Sequence, residues 1–516
     1  MRVLLVAPPF NIFPVGISYI SAALKRAGHD VTGHHFQKTE NFIAELQKKY
    51  DVVATGGLSS QFRQLKNIVG LARSSNTPVI VGGGIITSEP ELMSRSLIAD
   101  YAVIGEGEET IVELLSCIKQ GGNPSTVAGI GYFLGKQFVL TEPRKQNEDL
   151  DALPRPDYDC FGYGEFLDTM KPTDQYAYDI FDHPREYPLV SSRSCPFQCT
   201  FCYHPVGDKY RQRSLDSIMA ELEVVVPKYR INIVGILDEL FSYDEKRVLE
   251  FSTRFKKFAD TLPWEVRWGC QMRVAGLQEN MLDAMRNSGC YVVSYGFESY
   301  SQDVLKSMKK HITPQQIHHA VHATLDRRIS IQANFIFGDK TETLATARET
   351  LDFWKDHPEA GILLAFIIAC PNSAMYRYCI EKGIIQDRVD FITGHLFDIL
   401  NMTSMSNADF YKLVTLVYKY THKYSVYAIP LKRTPTSLTV RCPHCREVNE
   451  YKNYATSRFI YRKMMYCRHC RKRFFSISRA YQLFAKLIAH LLPPFSYRVY
   501  AFLQKIFGFA RVPGWD

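Results

Sequence analysis

Nowhere in its 516 residues does the chain reach about 18 uninterrupted apolar positions, the length a membrane-spanning helix needs, so none is expected. The start, Met1-Arg-Val-Leu-Leu-Val-Ala-Pro-Pro9, also lacks a secretory core, because its apolar run is far shorter than a signal h-region. Without such a signal the thirteen cysteines do not read as a disulfide scaffold; they point to a reducing compartment and to metal sites. The expected location is cytoplasmic. Composition excludes little else: 46% hydrophobic and 22% charged residues are ordinary for a globular protein. The length allows about three domains at roughly 100–200 residues each. Acidic residues are scarce in one place. From Arg441 to Asp516, fifteen Lys or Arg face only Glu447, Glu450 and Asp516, a net of +12; the chain total of +9 leaves −3 for the rest. A basic surplus confined to one tail suits something acidic: nucleic acid, anionic lipid or a phosphorylated substrate.

What the chain does have is a tight cysteine loop, Cys195-Pro-Phe-Gln-Cys199-Thr-Phe-Cys202, just after the apolar run Tyr187–Ser191. Three thiolates at that spacing can hold three irons of a 4Fe–4S cubane and leave the fourth without a protein ligand. A zinc loop would lack its fourth ligand and have an unusual spacing. The spacing, the aromatic before the third cysteine and the preceding Ser-Arg-Ser resemble the radical S-adenosylmethionine (radical SAM) superfamily. That resemblance implies a free iron that binds S-adenosylmethionine, whose cleavage gives an adenosyl radical. It also implies a reductase or a flavodoxin or ferredoxin as electron donor.

Before the loop, short continuous apolar runs (Val3–Ala7, Asp51–Thr55, Pro78–Gly82, Tyr101–Ile104) alternate with helical periods over Gly16–Ala27 and Gln61–Arg73. That switching predicts a parallel, doubly wound sheet, in which ligands sit at the carboxyl ends of the strands. Those ends are rich in glycine, which lets a flat ligand approach the backbone. The segments Pro14–Val31, Ile80–Gly84 and Val103–Thr110 resemble the cobalamin-binding domain of one large radical SAM subfamily. The resemblance implies cobalamin contacts at Pro9, Gly57, Ser59, Gly83, Gly84, Gly105 and Glu106. The Asp-x-His-x-x-Gly signature of methionine-synthase-type domains, which supplies a histidine to cobalt, is absent. A scaffold domain without cofactor is the bland alternative.

After a linker rich in proline and acid (Asn147–Asp159), strand-like and helix-like segments alternate again. Candidate strands are Pro188–Ser191, Ile233–Leu237, Glu265–Gly269, Val292–Gly296, Ile331–Phe337 and Ile362–Ile368. Six strands with intervening helices predict a partial TIM-like barrel with its chemistry at the carboxyl mouth. Four positions after these strands resemble the superfamily's S-adenosylmethionine contacts. Asp238 and Glu239 stand where a carboxylate meets the amino group, Arg273 near the carboxylate or cluster, and Glu298 where an acid bonds a ribose hydroxyl. The fifth turn, Gly338-Asp-Lys-Thr-Glu-Thr343, departs from the family's usual sequence, as does the sixth, which contains Cys370. Most of the remaining cysteines read as small buried hydrophobes; Cys370, at a strand end, is the candidate hydrogen-atom donor.

Farther on, Cys442-Pro-His-Cys445 and Cys467-Arg-His-Cys470 resemble a zinc ribbon, four thiolates suiting tetrahedral zinc, with an auxiliary iron–sulfur cluster as competitor. Interleaved aromatic and basic residues fit either nucleic-acid binding or a structural clamp. Residues Ala480–Phe509 repeat apolar positions at helical spacing around Pro493-Pro494, which suits a membrane interface or docking on protein.

The expected architecture is α/β: a Rossmann-like cobalamin-binding domain (1–145), a linker (146–186), a radical SAM partial (β/α)6 barrel (187–400) and a helical connector (401–435). A zinc ribbon (436–476) and basic amphipathic helices (477–516) complete it. The resemblance implies a radical SAM enzyme that uses a 4Fe–4S cluster, S-adenosylmethionine and cobalamin to methylate an unactivated carbon of a small molecule. Its subfamily also holds the anaerobic magnesium-protoporphyrin monomethyl ester oxidative cyclase, so cyclisation or rearrangement without methyl transfer is the second enzyme reading. RNA modification ranks last, because the extra N-terminal cysteine triad of methylthiolating enzymes is missing. The basic C-terminus leaves a peripheral membrane or other acidic partner open.

Overall fold

The computed structural model describes residues 1–10, 13–241, 244–454 and 460–483. Most of the expected C-terminal helices, from residue 484 on, lie outside the described residues. The chain forms two compact units. Met1–Phe166, Ser192–Glu221 and Ile368–Asp398 make the first; Leu167–Ser191, Leu222–Ile367 and the chain from Ile399 make the second. The cysteine loop therefore belongs with the N-terminal fold.

The first unit is built on a seven-stranded sheet. Its strands are β1 (Arg2–Ala7), β2 (Asp30–His35), β3 (Val52–Gly56), β4 (Val79–Gly82), β5 (Tyr101–Val103), β6 (Ile130–Leu134) and β7 (Gln137–Leu140). They lie in the order β2-β1-β3-β4-β5-β6-β7, the first five parallel and the last two an antiparallel extension. Val3–Ala7 are fully buried, as a parallel strand covered on both faces must be, and hence read as a continuous apolar run. Helices α1 (Val15–Arg26), α2 (Phe62–Ser74) and α3 (Glu108–Lys119) bury their apolar stripes on this sheet. The doubly wound expectation is met. β2, Asp-Val-Thr-Gly-His-His, escaped the sequence reading because it is a half-buried edge strand with no apolar run.

The second unit holds six parallel strands in chain order: β8 (Glu186–Leu189), β9 (Ile233–Ile236), β10 (Arg267–Met272), β11 (Cys290–Glu298), β12 (Ser330–Phe337) and β13 (Leu363–Phe366). β8 and β13 are edges, so the sheet is open, a partial (β/α)6 arrangement. The connecting helices include α4 (Glu245–Ala259), α5 (Glu279–Asn287), α6 (Pro314–Asp326) and α7 (Leu344–Asp356). Phe251 and Phe255 of α4 close on Trp268 of β10, with ring centroids 5.0 and 6.1 Å apart. Burying each such side chain is worth about 1.5–3 kcal/mol. α6 starts on a reciprocal cap. Thr313 Oγ1 accepts the Gln316 N–H at 3.3 Å, and Gln316 Oε1 accepts the Thr313 N–H at 3.0 Å. After the helix α8 (Asn407–Tyr424) come two antiparallel hairpins, β14 (Ser437–Arg441) with β15 (Val448–Lys452) and β16 (Arg462–Tyr466) with β17 (Arg473–Ile477).

Candidate functional site

The carboxyl ends of β1, β3, β4 and β5 meet at a glycine-rich rim. Gly83 has φ +85°, and a Cβ there would lie 2.8 Å from both N and O of Gly57. A Cβ on Gly56 would fall 2.9 Å from the Gly82 carbonyl oxygen. Only glycine lets the ends of β3 and β4 touch in this way. Gln61 ties in β1: its amide donates to the Pro9 carbonyl at 3.3 Å and accepts the Leu58 N–H at 3.1 Å. The Gly105 N–H donates to Thr87 Oγ1 at 3.0 Å, and the space above its Cα is open. Pro9 and Gly83 are exposed and Gly57, Ser59, Gly84 and Gly105 half-buried, so six of the seven positions proposed for cobalamin share one rim. Leu58, an apolar side chain left 60% exposed, stands on it.

Glu106 has other work. Its Oε1 accepts Arg193 Nη1 at 2.8 Å, both of its oxygens accept Arg211 Nη1, at 3.0 and 2.8 Å, and Oε2 takes the Asn147 N–H at 2.8 Å. Burial would raise its pKa, but the two guanidinium donors outweigh that and hold it below the usual carboxylate range. Arg193 and Arg211 face each other in a two-stranded hairpin, Ser192–Arg193 against Arg211–Gln212, that brackets the cysteine loop. Like charges opposite each other repel. Glu106 between them and Glu108, bonded to Arg193 Nη2, supply the neutralising charge. Arg193 also lies 5.3 Å from the Tyr19 ring centre, and Arg211 Nη2 donates to Ser194 Oγ at 3.2 Å and the Val206 carbonyl at 3.1 Å. Two short strands, whose arginines lie 87 and 105 residues from Glu106, gave no sequence signal for this clamp.

Within the loop, Cys199 is buried and Cys195 and Cys202 are half-buried, and the Cys202 N–H turns back onto the Cys199 carbonyl at 3.1 Å. The Tyr203 hydroxyl, next in the chain, donates to the Gly84 carbonyl at 3.4 Å. The Met375 N–H donates to the Thr200 carbonyl at 2.8 Å, so the turn containing Cys370 is tied to the loop. Burial pushes the Cys370 thiol up, which keeps it protonated.

The four barrel positions stand at carboxyl ends in the second unit. Asp238 is buried, and its two oxygens accept the Ser191 N–H at 2.7 Å and hydroxyl at 2.5 Å. It holds the end of β8. Glu239 beside it is half-buried. Glu298 sits at φ +61°, uncommon for a residue with a side chain and frequent where a site imposes strain. Lys310 Nζ donates to its carboxylate at 2.8 Å, and Arg273 Nη2 donates to the Lys310 carbonyl at 2.8 Å. A Cβ on Gly296 would lie 2.4 Å from Glu298 Oε1, so glycine there makes room for the pair. Lys310, absent from the sequence reading, thus joins Arg273 to Glu298. The unusual fifth turn buries two carboxyls, Asp339 and Glu342; burial pushes Glu342 up to about 7.

The four ribbon thiols converge. Cys442 and Cys470 Sγ atoms are 3.8 Å apart, Cys445 and Cys467 Sγ atoms 3.6 Å. Four thiolates around one ion at a bond length of about 2.3 Å sit about 3.8 Å apart, so the donor set fits a single tetrahedral metal. A cubane, which spreads its thiolates over four irons, needs a wider set. The His444 and His469 N–H groups point at Cys442 and Cys467 Sγ, both at 3.4 Å. The His444 ring is spent on the Arg473 carbonyl at 2.9 Å. The ribbon packs on the amino end of β12: Ser330 Oγ donates to the Arg471 carbonyl at 2.9 Å and Tyr466 Oη to the Ile331 carbonyl at 3.0 Å. Arg468 pairs with Asp182 at 2.7 Å, and Arg471 and Arg473 are buried. Those three cations face protein.

Comparison with known proteins settles the class. The B12 binding domain family matches residues 1–115 and the radical SAM superfamily residues 189–353. The chain is a radical SAM enzyme with a B12 binding domain. An uncharacterized methyltransferase of Pyrococcus horikoshii is 28% identical over 409 residues, 75% of this chain and 84% of the relative. The anaerobic magnesium-protoporphyrin IX monomethyl ester cyclase of Rubrivivax gelatinosus is 26% identical over 420 residues, 76% of this chain and 73% of the cyclase. Among solved structures, the radical S-adenosylmethionine methyltransferase TsrM from Kitasatospora setae shares the fold of this radical SAM enzyme, with a TM-score of 0.61. The identity is 18%, over 74% of this chain and 76% of TsrM. Among the described residues no helix is long and apolar enough to cross a membrane.

Proposed function

We propose that this radical SAM enzyme transfers a methyl group to an unactivated carbon of a small molecule. The observation that carries the reading is the bonding of the cysteine loop into the B12-type rim, through Arg193 and Arg211 to Glu106 and through Tyr203 to Gly84. A reductively cleaved S-adenosylmethionine and a cobalt-borne methyl group would be supplied by a 4Fe–4S cluster and cobalamin when bound. Cys195, Cys199 and Cys202 are the three thiolates for the cluster. The open backbone at Gly57, Gly83, Gly84 and Gly105, with Pro9 and Ser59, suits a flat macrocycle, and Leu58 would shield it from water. Asp238, which also holds Ser191, and Glu239 are the carboxylates we assign to the ammonium of S-adenosylmethionine. Glu298, oriented by Lys310, takes a ribose hydroxyl, and Arg273 a carboxylate. The electron donor is a reductase, flavodoxin or ferredoxin.

The organisation we propose keeps the first domain to residue 145, the barrel over 187–400 and the ribbon over 436–476, with structural zinc on Cys442, Cys445, Cys467 and Cys470. The similarity to the cyclase favours one second reading, ring closure without methyl transfer. Anaerobic turnover with S-adenosylmethionine carrying a deuterated methyl group separates the two. Products heavier by one labelled methyl support the proposal; unlabelled products with stoichiometric deoxyadenosine would replace it with the second reading.

A further inference from the structure

On the solvent face of the second unit, three histidines from two helices converge. His318 and His322 are one turn apart on α6, and His357 caps the carboxyl end of α7. One ring nitrogen from each lies within 4.8 Å of the other two. The ring centres are 4.3 Å apart for His318 and His322, and 5.4 Å from each of these to His357. Three imidazoles on one tetrahedral zinc, with bonds of about 2.0–2.1 Å, place their ring centres about 5.2 Å apart. The set therefore needs only side-chain adjustment to close on an ion.

Two features prepare it. His357 Nδ1 lies 2.9 Å from the Phe353 carbonyl, which can only accept, so Nδ1 carries the proton and Nε2 keeps its lone pair. A backbone carbonyl holding the far nitrogen of a ligating histidine is the usual means of fixing tautomer and ring direction. The His357 ring is also stacked on Phe353, with centres 4.1 Å apart. Partial burial, then the neighbouring His322 and His357 rings, lower the His318 pKa, which favours the neutral imidazole that ligates a metal.

We propose that His318, His322 and His357 form a surface site for a borderline divalent ion of the zinc class, with water in the fourth position. Nitrogen donors without thiolate or carboxylate suit zinc, copper or nickel over magnesium or calcium. The ion would tie the middle of α6 to the end of α7, outside the strand ends that carry the S-adenosylmethionine positions. This differs from the ribbon in donor type and in exposure, so it would exchange with free metal where the ribbon does not.

The test is a zinc titration of the full-length, reconstituted enzyme with its ribbon and cluster already loaded, read by metal analysis after desalting and by the thermal midpoint. We expect one further equivalent of zinc, a raised midpoint, and loss of both in His322→Ala and in His357→Ala. His319→Ala, which removes a neighbouring exposed histidine outside the trio, should leave both unchanged. The variants' cluster absorbance reports that they are folded. Equal zinc in the parent and in a His318→Ala/His322→Ala double variant, or zinc loss in the His319 variant alone, would overturn the site.

Discussion

Glu106 sits where two readings of one carboxylate diverge. As a cobalamin contact it would be dispensable to the fold; as the anion between Arg193 and Arg211 it is not. Breaking a buried ion pair by removing one partner costs about 3–5 kcal/mol, because the remaining charge is stranded. Glu106→Gln is thus expected to lower unfolding stability by that order and to weaken cluster retention, measured by denaturant titration and iron content. Unchanged stability with loss of corrinoid alone would return Glu106 to the cofactor. Asp179, beneath the ribbon, makes a second prediction. Its carboxylate accepts the Tyr466 N–H at 2.8 Å, but full burial raises its pKa from 3.8 to about 7. A folded pKa above the unfolded one means the protonated acid is the stable form. Its stability is fully present below the unfolded value and is lost as pH rises through about 7. Glu186, also raised to about 7 by burial, acts in the same direction. The thermal midpoint should fall as pH rises from about 4 to about 7, and Asp179→Asn should flatten part of that slope.

The strand ends decide what can bind. Gly83→Ala would place a methyl group 2.8 Å from the Gly57 backbone at a φ of +85°, so the β3 and β4 ends must separate. The expected result is a folded enzyme with at least tenfold weaker corrinoid retention, of the order that about 1.4 kcal/mol of lost binding produces, read by absorbance after desalting. These glycines were legible, because continuous apolar runs ending in glycine clusters mark parallel strands and their turns. All six strands of the second unit were also legible from their apolar runs. Strands of two residues were not: Ser192–Arg193 and Arg211–Gln212 are too short for any period, and their partner Glu106 is remote in sequence. Nor was Lys310 readable, since its role depends on a bend that brings it back over Gly296. The Asp238–Glu239 pair was visible, but only the fold shows that Ser191 occupies the first of them.

At the scale of the whole molecule, the second unit carries the four positions proposed for S-adenosylmethionine at the carboxyl ends of its strands and its four-cysteine ribbon at an amino end. That placement, with Arg468 paired to Asp182 and Arg471 and Arg473 buried, suits a structural clamp. Replacing Cys442 with serine, or stripping the metal, should lower the thermal midpoint of the enzyme and leave RNA affinity of the full chain unaltered, which filter binding at low salt would check. In the first unit, the glycine rim is proposed to hold a corrinoid beside the cysteine loop. That proposal is tested most directly by anaerobic reconstitution with iron, sulfide and hydroxocobalamin, followed by desalting and an absorbance spectrum. One retained corrinoid per chain, together with cluster absorbance, is expected. Cluster absorbance with no corrinoid would contradict it and reduce the B12-type fold to a scaffold.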